Sequence, residues 1–483
     1  MGIILLVDFG STHTKVLAVD MDKEEIVGRA QAVTTVGEDI TIGLNNALKI
    51  LFAASPVKET DIIAKYASSS AAGGLRMAAI GLVPALTLEA ARRAALGAGA
   101  KVVWSSGYEL DEERIKEVEA AACDIILLSG GTDGGDKKVI LHNATLLARS
   151  DIHAPILIAG NRVAAGAVKQ ILEHAGKHVL VTNNVLPELD RLNIKPSQEL
   201  IRNVFITEIT KAKGLNRAQE YIGDIVMPTP KATLQAATLL AEGTNDEPGL
   251  GSLLVVEVGG ATINIHSVAN GHPTDPHTIV RGLPETPVKR TVEGDLGIRY
   301  NAPALVEFVG VQACLSRLQD IAPGTELEGE QLESLAHGLS INVGHVPASD
   351  LDDCLDRVLA ESAVAFAVER HAGTLRQEFT LAGEIKVQKG KDLTRIHNII
   401  GTGGIFKYGK WPEKILSAAL FDPAAPWSLK PMTPQAYIDG EYILYGIGLL
   451  AEHYPAKALR IAKKYLKPVS LGGNNKQAAF ACT

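Results

Sequence analysis

The chain has 483 residues, too many for a single core, and 46% of them are hydrophobic against 21% charged, the balance of a globular protein. A net charge of −8 and an aromatic content of 5% argue against wholesale binding to a nucleic-acid backbone and against a base-stacking platform. The four cysteines, Cys123, Cys314, Cys354 and Cys482, form no CxxC pair, which argues against a zinc site or an iron–sulfur cluster held within one chain.

In chain order, residues 3–8 and 14–20 read as a β-hairpin and 26–34 as a strand. Residues 43–53 read as a helix with Leu44, Ala47, Leu48 and Leu51 on one stripe. A strand at 62–68 runs into the small-residue turn 69–74. From 76 to about 241 the character changes. Strand-like runs at 77–83, 101–104, 124–129, 155–159 and 178–182 alternate with helical runs at 87–96, 111–121, 138–149 and 164–174. Such repetition predicts a parallel sheet covered by helices. A glycine-rich run, Ser129-Gly130-Gly131-Thr132-Asp133-Gly134-Gly135-Asp136, follows one of these strands, at the edge where parallel sheets bind ligands. It has neither the GxGxxG spacing of a dinucleotide loop nor the Lys-Ser/Thr of a P-loop.

Pro228-Thr229-Pro230 marks a break, and 243–251 reads as a linker. Beyond it, 303–359 reads as mainly helical, 364–368 as part of another helix, 374–381 and 396–400 as strands, and 443–452 as a helix. The basic stretch Lys457, Arg460, Lys463, Lys464 and Lys467 reads as a solvated helix face. No window offers the roughly 20 apolar residues of a membrane span, and the run from Ile3 to Val7 is too short for a secretory leader. The expectation is a cytoplasmic protein with no membrane or nucleic-acid partner.

One pattern occurs twice. It reads Leu6-Val7-Asp8-Phe9-Gly10-Ser11-Thr12-His13-Thr14-Lys15-Val16 near the start and Val255-Val256-Glu257-Val258-Gly259-Gly260-Ala261-Thr262-Ile263-Asn264-Ile265 past the middle. Each is an apolar strand, an acidic residue, a glycine turn and a return strand. A carboxylate can hold a hydrated cation, and glycine and small hydroxyl residues let backbone N–H groups approach phosphate oxygens. Two such hairpins facing each other would grip a nucleotide triphosphate. A third piece, Asn398-Ile399-Ile400-Gly401-Thr402-Gly403-Gly404, is an apolar strand entering a glycine turn suited to a base and ribose.

This succession resembles the actin, sugar kinase and Hsp70 ATPase superfamily. Four wider stretches, 69–77, 130–135, 289–297 and 400–404, are similar to the GlmL or MutL family, the accessory protein of adenosylcobalamin-dependent glutamate mutase and related aminomutases. That family is unrelated to the mismatch-repair protein sharing its name. The resemblance implies an α/β, two-lobed actin-like (RNase H-like) ATPase fold with an inserted α/β region in the first half. It places a first lobe at 1–75, the insertion at 76–241, a linker at 242–251 and a second lobe at 252–483.

The resemblance also implies ATP or ADP with Mg²⁺, a mutase as protein partner, and an ATPase that reactivates the mutase. A homodimer is left open. No Asp-x-His-x-x-Gly pattern is present, so no tightly bound cobalamin is expected. In this reading Asp8 and Glu257 hold Mg²⁺ through water. Gly10, Ser11, Thr12, Gly259, Gly260, Ala261 and Thr262 cradle phosphates, and Lys15 neutralises their charge. Gly401, Thr402, Gly403 and Gly404 hold the nucleoside, and Glu293 and Asp295 are candidates for orienting water. The chain departs from the family at two places: Glu257 stands where Asp is usual, and Ile263-Asn264 where Thr-Asp is usual, which favours slow turnover over brisk hydrolysis. The alternatives are a small-molecule kinase of the same fold, an electron-transfer activator of radical dehydratases, which the scattered cysteines argue against, and a scaffold that binds ATP without hydrolysis.

Overall fold

The structure is a computed structural model that describes residues 2–10, 12–35, 39–70, 75–206, 216–223, 225–380 and 383–471. Ser11, the turn 71–74 and Cys482 lie outside the described residues. Contacts divide the chain into two compact units. One comprises Met1–Asp22, Ile26–Ala232 and Gly282–Pro284; the other comprises Lys23–Glu25, Thr233–Arg281 and Glu285–Thr483.

The first unit holds two five-stranded sheets. In the first sheet Glu25–Val33, His13–Asp20, Ile3–Phe9, Ile62–Ser69 and Ile225–Pro228 lie side by side in that order. Numbered by sequence, the order is 3-2-1-4-5. Ile3–Phe9 is central and buried along its length, which is why it reads as an almost unbroken apolar run. Its side chains alternate: Ile3, Leu5, Val7 and Phe9 enter the core, so Asp8 belongs to the opposite face. Ile40–Ala54 packs on the core face through Leu44, Ala47, Leu48 and Leu51, and Asp39 caps it by accepting the Thr41 N–H at 2.9 Å.

The second sheet, built from strands between Arg76 and Val181, is wholly parallel. Lys101–Ser106, Arg76–Ile80, Ile125–Leu128, Ile156–Ile158 and Val179–Val181 follow one another in the order 2-1-3-4-5. Met77, Ala79, Ile125 and Leu127 join one core, while Ala78, Ile80, Ile126 and Leu128 join another, so helices cover both faces.

The second unit repeats the first sheet's order. Val288–Glu293, Ile263–Val268, Leu253–Val258, Asn398–Thr402, Gln435–Asp439 and Leu466–Val469 run 3-2-1-4-5-6. This recurrence of one strand order in two units is the internal duplication of an actin-like α/β fold. Again the central strand alternates: Leu254, Val256 and Val258 face the core, and Glu257 faces the other way. A small sheet of Thr278–Arg281, Gly383–Lys389 and Thr374–Thr380 lies apart.

Several elements differ from the sequence reading. Residues 350–371 form one helix, Asp350–His371, with no break before Val364, because its apolar face runs unbroken from Leu355 to Val368. The strand Gly383–Lys389 was not expected, since only Val387 and Gln388 are buried and its sequence is mostly polar. The basic stretch is not simply solvated: Arg460 pairs with Glu24, Lys464 with Glu25 at 2.7 Å, and Lys463 with Glu247 at 2.7 Å. Among the described residues no helix is long and apolar enough to cross a membrane.

Candidate functional site

The first hairpin pairs Asp8 with Lys15 across the turn and with Ser68 on its parallel neighbour. That register decides the site. Lys15 Nζ donates to Asp8 Oδ2 at 2.9 Å, and Ser68 Oγ donates to Oδ1 at 3.2 Å. Thr229 Oγ1, from the start of helix Thr229–Glu242, donates to the same Oδ1 at 2.5 Å. The carboxylate is 1% exposed, so burying it without such donors would be very costly. The turn closes by the Gly10 N–H donating to the His13 carbonyl at 3.1 Å. Thr34 braces the tip: its hydroxyl donates to the Gly10 carbonyl and its N–H to the Thr12 carbonyl, both at 2.9 Å. His13 is half-buried, and burial, then Lys15, holds its imidazole below the usual range.

The second hairpin copies the first at the backbone. Glu257 pairs with Asn264 across the turn and with Thr402 on the parallel neighbour, and the Gly259 N–H closes the turn onto the Thr262 carbonyl at 3.0 Å. Its side chains differ. Thr233 Oγ1 donates to Glu257 Oε1 at 3.3 Å, and His266 Nε2 lies 3.2 Å from Oε2. Arg290, paired in register with His266, donates to Asn264 Oδ1 at 2.7 Å. Burial pushes Arg290 down to about 10, against the pull of Glu257, so it stays charged at neutral pH. Burial likewise lowers His266, opposed by Glu257.

The segment Val292 to Asn301 braces this second tip. Ile298 N–H reaches the Gly259 carbonyl at 3.3 Å, and the Arg299 and Tyr300 N–H groups reach the Gly260 carbonyl at 2.9 and 3.0 Å. Asn301 Nδ2 reaches the Ala261 carbonyl at 2.8 Å. A trans peptide points its C=O and the following N–H in opposite directions. Bracing three consecutive carbonyls therefore turns the N–H groups of Gly260, Ala261 and Thr262 away from the brace. Successive N–H groups left on one side of a turn are the raw material of an anion-binding nest. A side chain at Gly297 would sit 2.4 Å from the Ala261 backbone, which explains glycine in the Gly294-Asp295-Leu296-Gly297 stretch.

The remaining expected site residues fall as follows. Gly403 has φ +117, and a Cβ there would meet the Val258 carbonyl at 2.2 Å; Gly401 packs against the Phe406 ring. Gly404 faces open space. Thr402 is buried and its hydroxyl donates to Asp439 Oδ2 at 2.8 Å. Glu293 and Asp295 both accept from Arg370 Nη1, at 2.7 and 3.0 Å. Thr12 Oγ1 lies 3.3 Å from the His13 ring. The glycine-rich run 129–136 is pinned from within. Asn161 accepts the Gly134 N–H and donates to the Gly135 and Asp136 carbonyls, and Asn184 donates to Gly131 and Asp133. Asp133 and Asp136 accept the N–H groups of Arg162 and Val139 at two helix starts, where an anion would otherwise bind.

Sequence reasoning missed Thr34, Thr229, Thr233, His266 and Arg290. For Thr229 the signal was its placement between two prolines; the others carry no local mark. As for a metal, among the described residues no three His, Cys, Asp or Glu side chains gather into a cage. Asp8 with its two hydroxyl neighbours offers hard oxygen atoms, which suit a Mg²⁺ ion that keeps its waters. Glu257, flanked by His266 and Arg290, fits less well.

The chain matches the model of the MutL protein family over residues 4–466. It belongs to that family. It is 45% identical to Protein MutL of Clostridium tetanomorphum over 469 residues, 97% of this chain and 100% of that protein. Among solved structures, a glycerol dehydratase reactivase matches 93% of this chain and 99% of its own, at 12% identity and TM-score 0.35. The activator of the 2-hydroxyisocaproyl-CoA dehydratase from Clostridium difficile, with bound ADPNP, matches 97% and 99%, at 9% identity and TM-score 0.31. Within the MutL family, then, this chain carries a hairpin whose acidic residue is Glu257 and whose cross-strand partner is Asn264.

Proposed function

We propose that this chain is an ATP-binding accessory protein that uses slow ATP turnover to reactivate or remodel an adenosylcobalamin-dependent amino-acid mutase. The observation that carries the ATP side is the braced second tip, with three successive N–H groups turned away from Val292 to Asn301, in a hairpin that repeats the register of Asp8. Membership of the MutL family and the sequence resemblance support the mutase side.

In this reading the tips, Ser11 and Thr12 in one hairpin and Gly260, Ala261 and Thr262 in the other, bind phosphate oxygens. The Gly10 and Gly259 N–H groups are spent closing the turns. Asp8 holds the hydrated Mg²⁺ and Lys15 turns to phosphate. Glu257, already shared between Thr233 and His266, acts on the metal only through water. When bound, Mg²⁺ neutralises phosphate charge. Gly404 leaves room for the nucleoside beside Gly401 and Gly403. Glu293 and Asp295, steered by Arg370, are the carboxylates proposed to order water. Positioning and charge neutralisation supply most of phosphoryl-transfer catalysis, so such a set suffices for slow hydrolysis.

The test is phosphate release from ATP by the full chain, alone and with a mutase inactivated by loss of its adenosyl group. Slow release that rises several-fold with the inactivated mutase, and vanishes in Asp8→Ala, is expected. Release unaffected by Asp8→Ala, or by the mutase, contradicts the proposal.

A further inference from the structure

We propose that Thr229 and Ser68 are positioning residues for Asp8: they fix one carboxylate oxygen so that the other is presented to the cation that accompanies the nucleotide. This rests on the ATP-binding reading above.

The two oxygens of Asp8 are held in different ways. Oδ1 accepts Thr229 Oγ1 at 2.5 Å and Ser68 Oγ at 3.2 Å, while Oδ2 accepts Lys15 Nζ at 2.9 Å. The hydroxyl donors are buried and short. Ser68 is fixed opposite Asp8 by parallel strand pairing. Thr229 is β-branched, with few side-chain rotamers, and stands between Pro228 and Pro230, whose rings fix φ on either side. The Pro-Thr-Pro break is thus the device that delivers a stiff donor to a carboxylate 221 residues away in sequence.

Lys15 is the opposite kind of donor. Its stem is long and flexible, and 16% of its side chain is exposed. It is the partner that can leave. A hydrated divalent cation arriving with phosphate competes for Oδ2, Lys15 turns to the phosphate, and Oδ1 keeps both hydroxyls. The carboxylate then meets the cation in one fixed orientation, without the cost of ordering it at that moment.

The test measures affinity of the full chain for a fluorescent ATP analogue, once with Mg²⁺ and once with a chelator. In Mg²⁺, Thr229→Val weakens binding about 10-fold, on the scale of a hydrogen bond to a charged group. Thr229→Ser, which keeps the hydroxyl, stays near wild type. Ser68→Ala, losing the longer bond, weakens binding about 3-fold. With the chelator all four proteins agree within about 2-fold. Equal losses with and without Mg²⁺ indicate a merely structural role and overturn the proposal, as does Thr229→Val binding like wild type in Mg²⁺. If Thr229→Val fails to fold, Ser68→Ala decides alone. A wild type that binds no nucleotide under either condition overturns the ATP-binding reading itself, a different result from metal-dependent binding that the two variants leave untouched.

Discussion

The two hairpins share a backbone and differ in what surrounds their carboxylates. Asp8 and Glu257 sit at equivalent register positions, beside Lys15 and Asn264 across the turn and beside Ser68 and Thr402 on the parallel neighbour. Around Asp8 the donors are two hydroxyls and a movable lysine. Around Glu257 they are one hydroxyl and a fully buried histidine, with Arg290 held rigidly on Asn264. The first carboxylate is held by two hydroxyls and by a lysine whose side chain is 16% exposed. The second is held by groups that belong to the fold, the Thr233 hydroxyl and the buried His266 ring, with the Arg290 charge close by. Asn264 and Glu257 thus fall into one network: neutral Asn264 accepts from Arg290, and Glu257 reaches His266.

Removing the fixed cation sharpens the contrast most. Arg290→Met takes the donor from the buried Asn264 oxygen and the nearby positive charge from Glu257, which costs about 3 kcal/mol. Lys15→Met leaves the buried Asp8 its two hydroxyls but no cation, at about 2 kcal/mol, the loss being limited because Lys15 is partly exposed. Hydrogen exchange resolves the two units separately, where a single melting temperature would mix them. Faster exchange in 253–268 for Arg290→Met, with a smaller rise in 3–20 for Lys15→Met, is the expected pattern. Equal effects would erase the distinction.

Acid gives a smaller and broader effect. His266 and His371 in the second unit are completely buried, and burial holds both below the ordinary 6.5. They are neutral when folded and bind protons when unfolded below that value. The unfolded state is then the larger proton binder, so their contribution is complete above 6.5 and is lost as pH falls. In the first unit half-buried His13 shifts the same way. Lowering pH from about 7 to about 5.5 is therefore expected to speed exchange at 253–268 more than at 3–20, after correction for intrinsic rates. The reverse ranking contradicts the assignment of the buried histidines.

Much of this was legible because it is local. A strand, an acid, a glycine turn and a return strand lie within eleven residues, and the sheets formed where that pattern and the parallel alternation placed them. What stayed hidden was long-range. Thr229 reaches Asp8 across 221 residues, and Arg370 takes Glu293 and Asp295 from 77 and 75 residues away. The glycine-rich run at 129–136 looked open in sequence because nothing local reveals that Asn161 and Asn184 fill it. Val292 to Asn301 was read for its carboxylates, yet its backbone does the bracing, and a backbone hydrogen bond leaves no mark in residue type.

We propose that this chain binds ATP, with Asp8 carrying the metal and Glu257 contributing less. The direct measurement is calorimetric titration of ATP with Mg²⁺ into wild type, Asp8→Asn and Glu257→Gln. Wild type should bind one ATP per chain, Asp8→Asn should lose about 100-fold in affinity, and Glu257→Gln about 10-fold or less. Equal losses in the two variants would contradict the asymmetry, and no binding by wild type would contradict the claim itself.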